Sequence, residues 1–202
     1  KEIQKDPNNK LVPRYYFYAG QSYYDYGDYI NSIKYYTKRL EYGGWFEEMY
    51  YSYYRIANSM CHLDRYDNDN DSIETAYLAA YKYLPSRAES LYELSLYFSK
   101  KRMFDKCLYY ILLSDKIPYP NDQILFINSE IYKWRNKLLL AETYYNVEQY
   151  MQAREVFKYL LSINDLPDNV SNYCYSMLFD TAKYIKDNYI EYVPKKINIL
   201  TS

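Results

Sequence analysis

A short pattern of apolar and small residues recurs four times along the chain, and it limits the folds that the chain can adopt. Each copy has a small residue at its centre, and these four residues are Gly20, Ala57, Ser95 and Ala141. In the first three copies a Tyr or Leu stands four positions earlier, and a Tyr, Met or Phe stands three positions later. Recurrence with a period of about 20–50 residues is typical of proteins built from stacked structural repeats. The pattern therefore predicts a repeat protein.

A second pattern follows each small residue, and it consists of two residues four positions apart. The four pairs are Ser32 and Tyr36, Ile73 and Tyr77, Cys107 and Ile111, and Ala153 and Phe157. Together the two patterns resemble the tetratricopeptide repeat, in which W-x2-L-G-x2-Y is followed by A-x3-F. The resemblance implies an all-α fold, with a right-handed superhelix of about four helix-turn-helix units and a C-terminal capping helix.

The register of the repeats predicts where the units and helices begin and end. The four units are expected at about 13–42, 46–84, 86–116 and 129–163, followed by a capping helix at 168–186. The nine predicted helices are 13–26, 29–42, 46–64, 72–84, 86–101, 104–116, 129–147, 150–163 and 168–186. Residues 1–186 are thus predicted to form one repeat domain, and 187–202 a tail.

Insertions explain why the units are spaced unevenly. Gly43-Gly44 and the loop at Asp67–Asp71 lengthen the connections between the early helices, and 117–128 lengthens the connection before the last unit. Pro118 and Pro120 stand in this last insertion, and proline does not continue a helix. We therefore expect 117–128 to be non-helical.

Charge balance and hydropathy exclude several classes of partner. The chain has 25 basic and 26 acidic residues and a net charge of −1, so it lacks the basic excess that attracts nucleic acid. No stretch approaches the roughly 18 consecutive apolar residues of a membrane-spanning helix. The three cysteines are odd in number and form no CxxC pair, which favours reduced thiols and a cytoplasmic location. The charged start at Lys1 is typical of a fragment of a longer chain.

Motifs for catalysis or metal binding are incomplete in this sequence. The acidic run Asp67–Asp71 is similar to a calcium-binding loop, but Ser72 replaces the turn glycine and Leu78 replaces the bidentate glutamate. His62 is the only histidine, which excludes a site with two histidine ligands within the chain. No nucleophile elbow, P-loop or dinucleotide-binding motif is present. We therefore expect no catalytic residue, no metal site and no cofactor in this segment.

The repeat register also predicts which side chains line the concave face, where a protein or peptide partner is expected to bind. These side chains belong to the first helix of each of the first three units and form a mixed aromatic and polar set. The candidates are Phe17, Gln21, Tyr24, Asp25, Tyr54, Asn58, His62, Tyr92, Leu96 and Lys100.

Between the repeats the chain is similar to the tetratricopeptide-like segment that accompanies family 2 glycosyltransferase domains in bacteria and some large DNA viruses. The similarity spans roughly 6–180, and its most specific parts are Gly43-Gly44-Trp45, Pro85-Ser86-Arg87-Ala88-Glu89, Pro118-Tyr119-Pro120 and Tyr132-Lys133-Trp134. The family's nucleotide-sugar and metal residues belong to its α/β catalytic domain, which no segment here matches, so the resemblance supplies no catalytic residue. The 33 tyrosines and the many Asn and Lys residues suit a giant virus or an AT-rich bacterium.

Two hypotheses on function follow from these observations. In the first, the chain is the non-catalytic repeat module of a glycosyltransferase and docks either the catalytic domain or the acceptor protein. In the second, it is a free-standing tetratricopeptide adaptor that binds a peptide or protein partner in its concave groove. A self-contained enzyme is the least favoured interpretation, because the sequence carries no complete catalytic motif.

Overall fold

The computed structural model describes residues 11–63 and 70–185, and within these ranges the chain is all-helical with no strand. Nine α-helices follow one another along the described residues. They are α1 (Val12–Tyr26), α2 (Tyr29–Leu40), α3 (Phe46–Leu63), α4 (Asn70–Tyr83), α5 (Glu89–Lys100), α6 (Phe104–Ser114), α7 (Asn136–Asn146), α8 (Tyr150–Leu161) and α9 (Asp168–Thr181). Each predicted helix has a counterpart in this order, which confirms the predicted all-α architecture.

The helix predicted at 129–147 differs in detail from the expectation. It starts as α-helix at 129–130, widens into a π-helical turn at Ile131–Arg135 and returns to α-helix in α7. Hydrophobic periodicity does not distinguish a single π turn from an α turn, because both keep the chain helical. The turn includes Tyr132, whose hydroxyl donates to Glu89 at 2.8 Å.

The connection between α1 and α2 shows how the sequence ends one helix and starts the next. Gly27 has a φ of 87°, a left-handed conformation that glycine adopts at little cost. The Asp28 carboxylate then accepts a hydrogen bond from the backbone N–H of Asn31 at 3.1 Å and so caps the start of α2. These two residues make the tight turn of a helix hairpin.

Close packing within the first hairpin depends on the small residue of the repeat pattern. Gly20 on α1 faces the ring of Tyr36 on α2, and a β-carbon at Gly20 would lie 2.9 Å from two ring atoms. The Ser32 hydroxyl also donates to the carbonyl oxygen of Gly20 at 3.0 Å. Tyr36 is fully buried, so the small and large residues of the pattern pack against each other as expected.

Contacts group the chain into two compact units, Lys1–Asn136 and Lys137–Ser202. In the first unit, the consecutive helices from α1 to α6 pack on one another. In the second, α9 packs on α8, which is the contact expected of a capping helix, and Ala141, Ala153 and Phe157 are fully buried. The single domain predicted over 1–186 remains a prediction, and the tail at 187–202 lies outside the described residues.

Two of the three predicted insertions, at Gly43-Gly44 and at 117–128, are non-helical. Gly43 and Gly44 have φ values of 62° and 95° and form a left-handed turn before α3. Residues 117–128 form turns and bends without a helix, as the two prolines predict. The acidic run lies partly outside the described residues, and its last two members, Asn70 and Asp71, belong to the first turn of α4. Among the described helices, none combines the length and the apolar character needed to cross a membrane.

Replacing Gly20 with Ala tests the packing of the first hairpin. The added methyl group must displace the buried Tyr36 ring, and overpacking of this kind costs about 1–3 kcal/mol. Alanine's higher helix propensity returns up to about 1 kcal/mol, so we expect a net loss of free energy of unfolding in urea. Ser22→Ala on the exposed side of α1 serves as the control, and a G20A variant as stable as this control would contradict the packing.

Ala153→Leu tests the repeat register in the second unit. Ala153 is fully buried on α8, so the larger side chain should overpack the surrounding residues and lower stability by about 1–3 kcal/mol. Thermal unfolding measures the effect. An unchanged midpoint would show that the register assigned to this unit is wrong.

Candidate binding surface

All ten predicted site residues lie in the compact unit Lys1–Asn136. They belong to α1, α3 and α5, which are the first helices of their hairpins. We call the surface that these three helices form the first-helix face. The ten candidates differ in exposure. Asp25, His62 and Lys100 are exposed, Gln21, Tyr24, Tyr54 and Leu96 are half-buried, and Phe17, Asn58 and Tyr92 are buried.

The buried candidates have structural contacts rather than an open surface. Phe17 is 2% exposed and forms a core cluster with Tyr36 and Tyr51. Asn58 accepts a hydrogen bond from the Tyr77 hydroxyl at 2.7 Å. The sequence pattern assigns a helix face but not the depth of each side chain, because bulky neighbours such as Tyr51 can cover a residue on that face. The binding role predicted for these residues remains a prediction.

Two of the predicted residues, Tyr24 and His62, are brought into direct contact although they are 38 positions apart. The Tyr24 hydroxyl and the His62 Nε2 atom are 3.2 Å apart. The His62 ring also stacks on Tyr29, with ring centres 4.4 Å apart and planes nearly parallel. Together these contacts join the end of α1, the start of α2 and the end of α3, while the His62 side chain remains exposed.

Sequence reasoning missed Arg55, which lies at the centre of this part of the face. Its guanidinium carbon is 4.0 Å from the centre of the Tyr24 ring and 5.0 Å from that of Tyr51. Such cation–π contacts are attractive because the ring faces carry negative charge. Burial lowers the pKa of Arg55, but the hydroxyls of Tyr51 and Tyr24 outweigh this effect and raise it. Arg55 is therefore a fixed positive charge between two aromatic rings.

Glu93 on α5 adds a carboxylate to the same region. Burial raises the pKa of the Glu93 carboxyl, while the positive charges of Lys100, Arg135 and Arg55 oppose this rise. Burial is also the largest cause of the raised pKa of Tyr24. The surface therefore combines aromatic rings with partly desolvated charges of both signs.

At the other end of the first-helix face, two buried arginine–glutamate pairs hold the insertions in place. Arg39 is 2% exposed, contacts Glu48 at 3.0 Å and donates to the carbonyl oxygen of Gly43 at 2.6 Å. Arg87 is 1% exposed and donates to both oxygens of Glu89 at 2.9 Å. A bidentate pair of this kind is short, directional and geometrically specific.

Glu89 is the centre of a larger hydrogen-bond network. Besides Arg87, it accepts hydrogen bonds from the Tyr132 hydroxyl at 2.8 Å and from the Asn128 backbone N–H at 3.3 Å. Burial and the neighbouring Glu89 carboxylate raise the pKa of the Tyr132 hydroxyl, which therefore keeps its proton and remains a donor. Two of the non-repeat stretches noted in the sequence, Pro85–Glu89 and Tyr132–Trp134, thus meet in this network.

No group of three or more potential metal ligands lies together within 11–63 and 70–185. Three members of the acidic run, Asp67–Asp69, fall outside these ranges. The predictions that the segment binds no metal and needs no cofactor remain predictions.

Replacing Arg87 with Met measures how strongly the second ion pair stabilises the first unit. The variant keeps most of the side-chain volume but leaves the Glu89 carboxylate buried without its cation, which costs about 3–5 kcal/mol in comparable sites. We expect a loss of this size in the free energy of unfolding in urea. Lys158→Met is the matched control, because the Lys158–Glu155 pair is more than half exposed and such pairs contribute at most about 1 kcal/mol. Equal losses in the two variants would contradict the buried network.

Comparison with known proteins supports the fold. No protein-family model matches the chain, and no curated protein matches it either. Among solved structures, the chain is similar to the crystal structure of a thermophilic tetratricopeptide protein from Thermus thermophilus. The similarity covers 88% of this chain and 85% of that one, with a TM-score of 0.57 and 12% sequence identity. The tetratricopeptide-type fold implied by the repeat pattern is therefore confirmed.

Proposed function

We propose that this chain is a helical-repeat protein-interaction module with no catalytic residue or cofactor of its own. The observation that carries the proposal is the contact between Tyr24, Arg55 and His62, which lie partly open to solvent on the first-helix face. Tyrosine and arginine side chains are enriched at the energetic centres of protein interfaces. Stacked helix pairs also present a continuous surface to a partner, and the tetratricopeptide-type fold supports the same proposal.

We propose that the module is part of, or a partner to, a family 2 glycosyltransferase. It docks either the catalytic domain of that enzyme or the protein that accepts the sugar. The support for this partner is the sequence similarity in the stretches between the repeats. In the fold, Ala88 and Glu89 of one stretch form hydrogen bonds with the Tyr132 hydroxyl of another, so residues of these two similar stretches are packed against each other. Under this proposal the sugar donor binds to the catalytic domain, and the repeat module binds protein.

Titration with purified family 2 glycosyltransferase catalytic domains from the source organism tests the proposed partner. We expect one of them to bind the chain in isothermal titration calorimetry, and we expect the double variant Tyr24→Ala, Lys100→Glu to weaken that binding at least tenfold. The change removes an aromatic contact and reverses a charge on the first-helix face, where truncation of an energetic centre costs about 2 kcal/mol or more.

Tyr109→Ala is the control for this titration, because Tyr109 is also an exposed tyrosine of the first unit but lies on α6, the second helix of its hairpin. Circular dichroism of each variant verifies the fold. Failure of all the catalytic domains to bind, or equal losses in the control and the double variant, would contradict the proposed partner or its docking surface. Binding of the same face to an acceptor protein alone would identify the acceptor as the partner.

A further inference from the structure

Five large apolar side chains are exposed at one end of the first unit, where α2 ends and α3 begins. The helices of each hairpin run in opposite directions, so α4 and α6 also end there. The insertion at 117–128 follows α6 and therefore lies at the same end. We call the five side chains the apolar end, and they are Tyr42 (46% exposed), Trp45 (38%), Phe46 (44%), Ile124 (80%) and Phe126 (49%).

Contacts with α3 bring the two parts of the apolar end together. Glu47, which directly follows Phe46, accepts a hydrogen bond from the Ile124 N–H at 2.8 Å. One helical turn later, the Tyr51 ring contacts the Phe126 ring, with ring centres 4.8 Å apart. The insertion therefore lies along the first two turns of α3, next to the turn that precedes this helix.

The backbone that carries these side chains is fixed to the helices. The buried Arg39 side chain donates to the carbonyl oxygen of Gly43 at 2.6 Å. The buried Arg87 side chain donates to the carbonyl oxygens of Leu125 and Phe126, at 3.2 and 3.3 Å. Because the backbone is held in this way, a partner that binds the apolar end has little chain left to order, which lowers the cost of association.

The exposed area is large enough for a small interface between two chains. A contiguous apolar patch of several hundred Å² is uncommon on a soluble monomer and marks an interaction site. The exposed fractions leave roughly 500 Å² on the five side chains, because a large aromatic side chain has about 150–250 Å² of surface. Two copies that pair through this end bury about 1,000 Å², which is the lower limit for a specific interface.

The charges beside the apolar end favour a second copy of the chain as the occupant. Two exposed basic residues, Arg14 and Lys38, are matched by two exposed acidic residues, Glu41 and Asp122. Lys38 and Glu41 pair with each other at 3.0 Å but are about half exposed, so they can exchange partners with the same pair of another copy. A two-fold symmetric contact requires a self-complementary surface of this kind, whereas an anionic lipid surface favours an excess of basic residues.

We infer that the apolar end binds a second copy of this chain in a two-fold symmetric dimer. The inference goes beyond the proposed function, because it concerns a different surface. Tyr24 and His62 lie near the ends of α1 and α3, whereas the apolar end lies at the start of α3. The dimer therefore leaves the region around these two residues available to another partner.

Sedimentation velocity of the unaltered chain tests the inference. An interface near the lower size limit associates weakly, so the measurement covers a hundredfold range of concentration up to roughly 200 μM. We expect the weight-average mass to rise from that of one chain toward that of two. A mass that stays at one chain over the whole range would overturn the inference.

Substitution of two exposed residues shows whether the apolar end forms the contact. The double variant Trp45→Ser, Ile124→Ser should dimerise at least tenfold more weakly, because each copy loses both apolar contacts. Tyr26→Ser, Ile30→Ser is the matched control, since these residues are also exposed but lie at the opposite end of the first hairpin. Circular dichroism verifies the fold of both variants, and equal losses in the two would contradict the assigned surface.

Charge reversal tests the symmetry of the contact and does not depend on the apolar substitutions. Lys38→Glu leaves one basic and three acidic residues beside the apolar end, and Glu41→Lys leaves three basic and one acidic. Each variant alone should dimerise at least threefold more weakly than the unaltered chain, because like charges then face each other. An equal mixture of the two should restore dimerisation, and a mixture no better than the separate variants would overturn the two-fold contact.

Two measurements identify another occupant if the chain is monomeric. Binding to phosphatidylcholine and phosphatidylserine vesicles that is lost in Trp45→Ser, Ile124→Ser would identify a lipid surface. Loss of glycosyltransferase binding in the same variant would identify that enzyme as the occupant. Either result would overturn the dimer, whereas absence of the dimer alone leaves the proposed glycosyltransferase partner unaffected.

Discussion

The buried pair formed by Arg87 and Glu89 is the interaction on which the organisation of the first unit most depends. Both side chains are almost completely buried, so each requires the other to offset the loss of water. Arg87 also donates to the carbonyl oxygens of Leu125 and Phe126 in the insertion. Glu89 accepts a hydrogen bond from the hydroxyl of Tyr132, in the helical turn that follows the insertion. The pair therefore links the start of α5 to residues about 40 positions later in the chain, and it holds the non-helical insertion against the helices.

The repeat pattern predicts the helical framework well because the packing of each hairpin depends on local residues of fixed size. Gly20 and Tyr36 illustrate this dependence, since the ring of one fills the space left by the other. The same reasoning predicts that 117–128 is not helical, because Pro118 and Pro120 restrict the backbone. It does not predict where that insertion packs, since the contacts of Glu47 with Ile124 and Leu125 join residues 77 and 78 positions apart. No periodic signal in the sequence connects them.

The candidate site is predicted less completely than the fold, and the reasons are physical. Tyr24 and His62 are correctly placed on neighbouring helices because the repeat register aligns α1 with α3. Arg55 is missed because the repeat register assigns its neighbour Tyr54 to this face instead. The role of Arg55 depends on its contacts with the rings of Tyr24 and Tyr51, which the repeat pattern does not predict. Phe17 is on the expected helix but is buried beneath Tyr51 and Tyr36. A helical pattern predicts the direction in which a side chain points from its helix. The exposure of that side chain also depends on the sizes of side chains from several other helices.

The first-helix face thus has two parts with different properties. One part, around Glu47 and Arg87, is covered by the non-helical insertion from the same unit. The other part, around Tyr24, Arg55 and His62, presents aromatic and charged groups to solvent. The region around His62 is therefore open to a partner.

That histidine allows the most direct test of the central claim that the first-helix face binds protein. Because His62 is the only histidine in the sequence, it should give a single set of ring signals in the NMR spectrum, and its stacking on Tyr29 at 4.4 Å should shift them upfield. The account predicts that these signals change position or broaden when the chain is titrated with the glycosyltransferase domain that binds it. A partner that binds the chain while the His62 signals remain unchanged would contradict the claim.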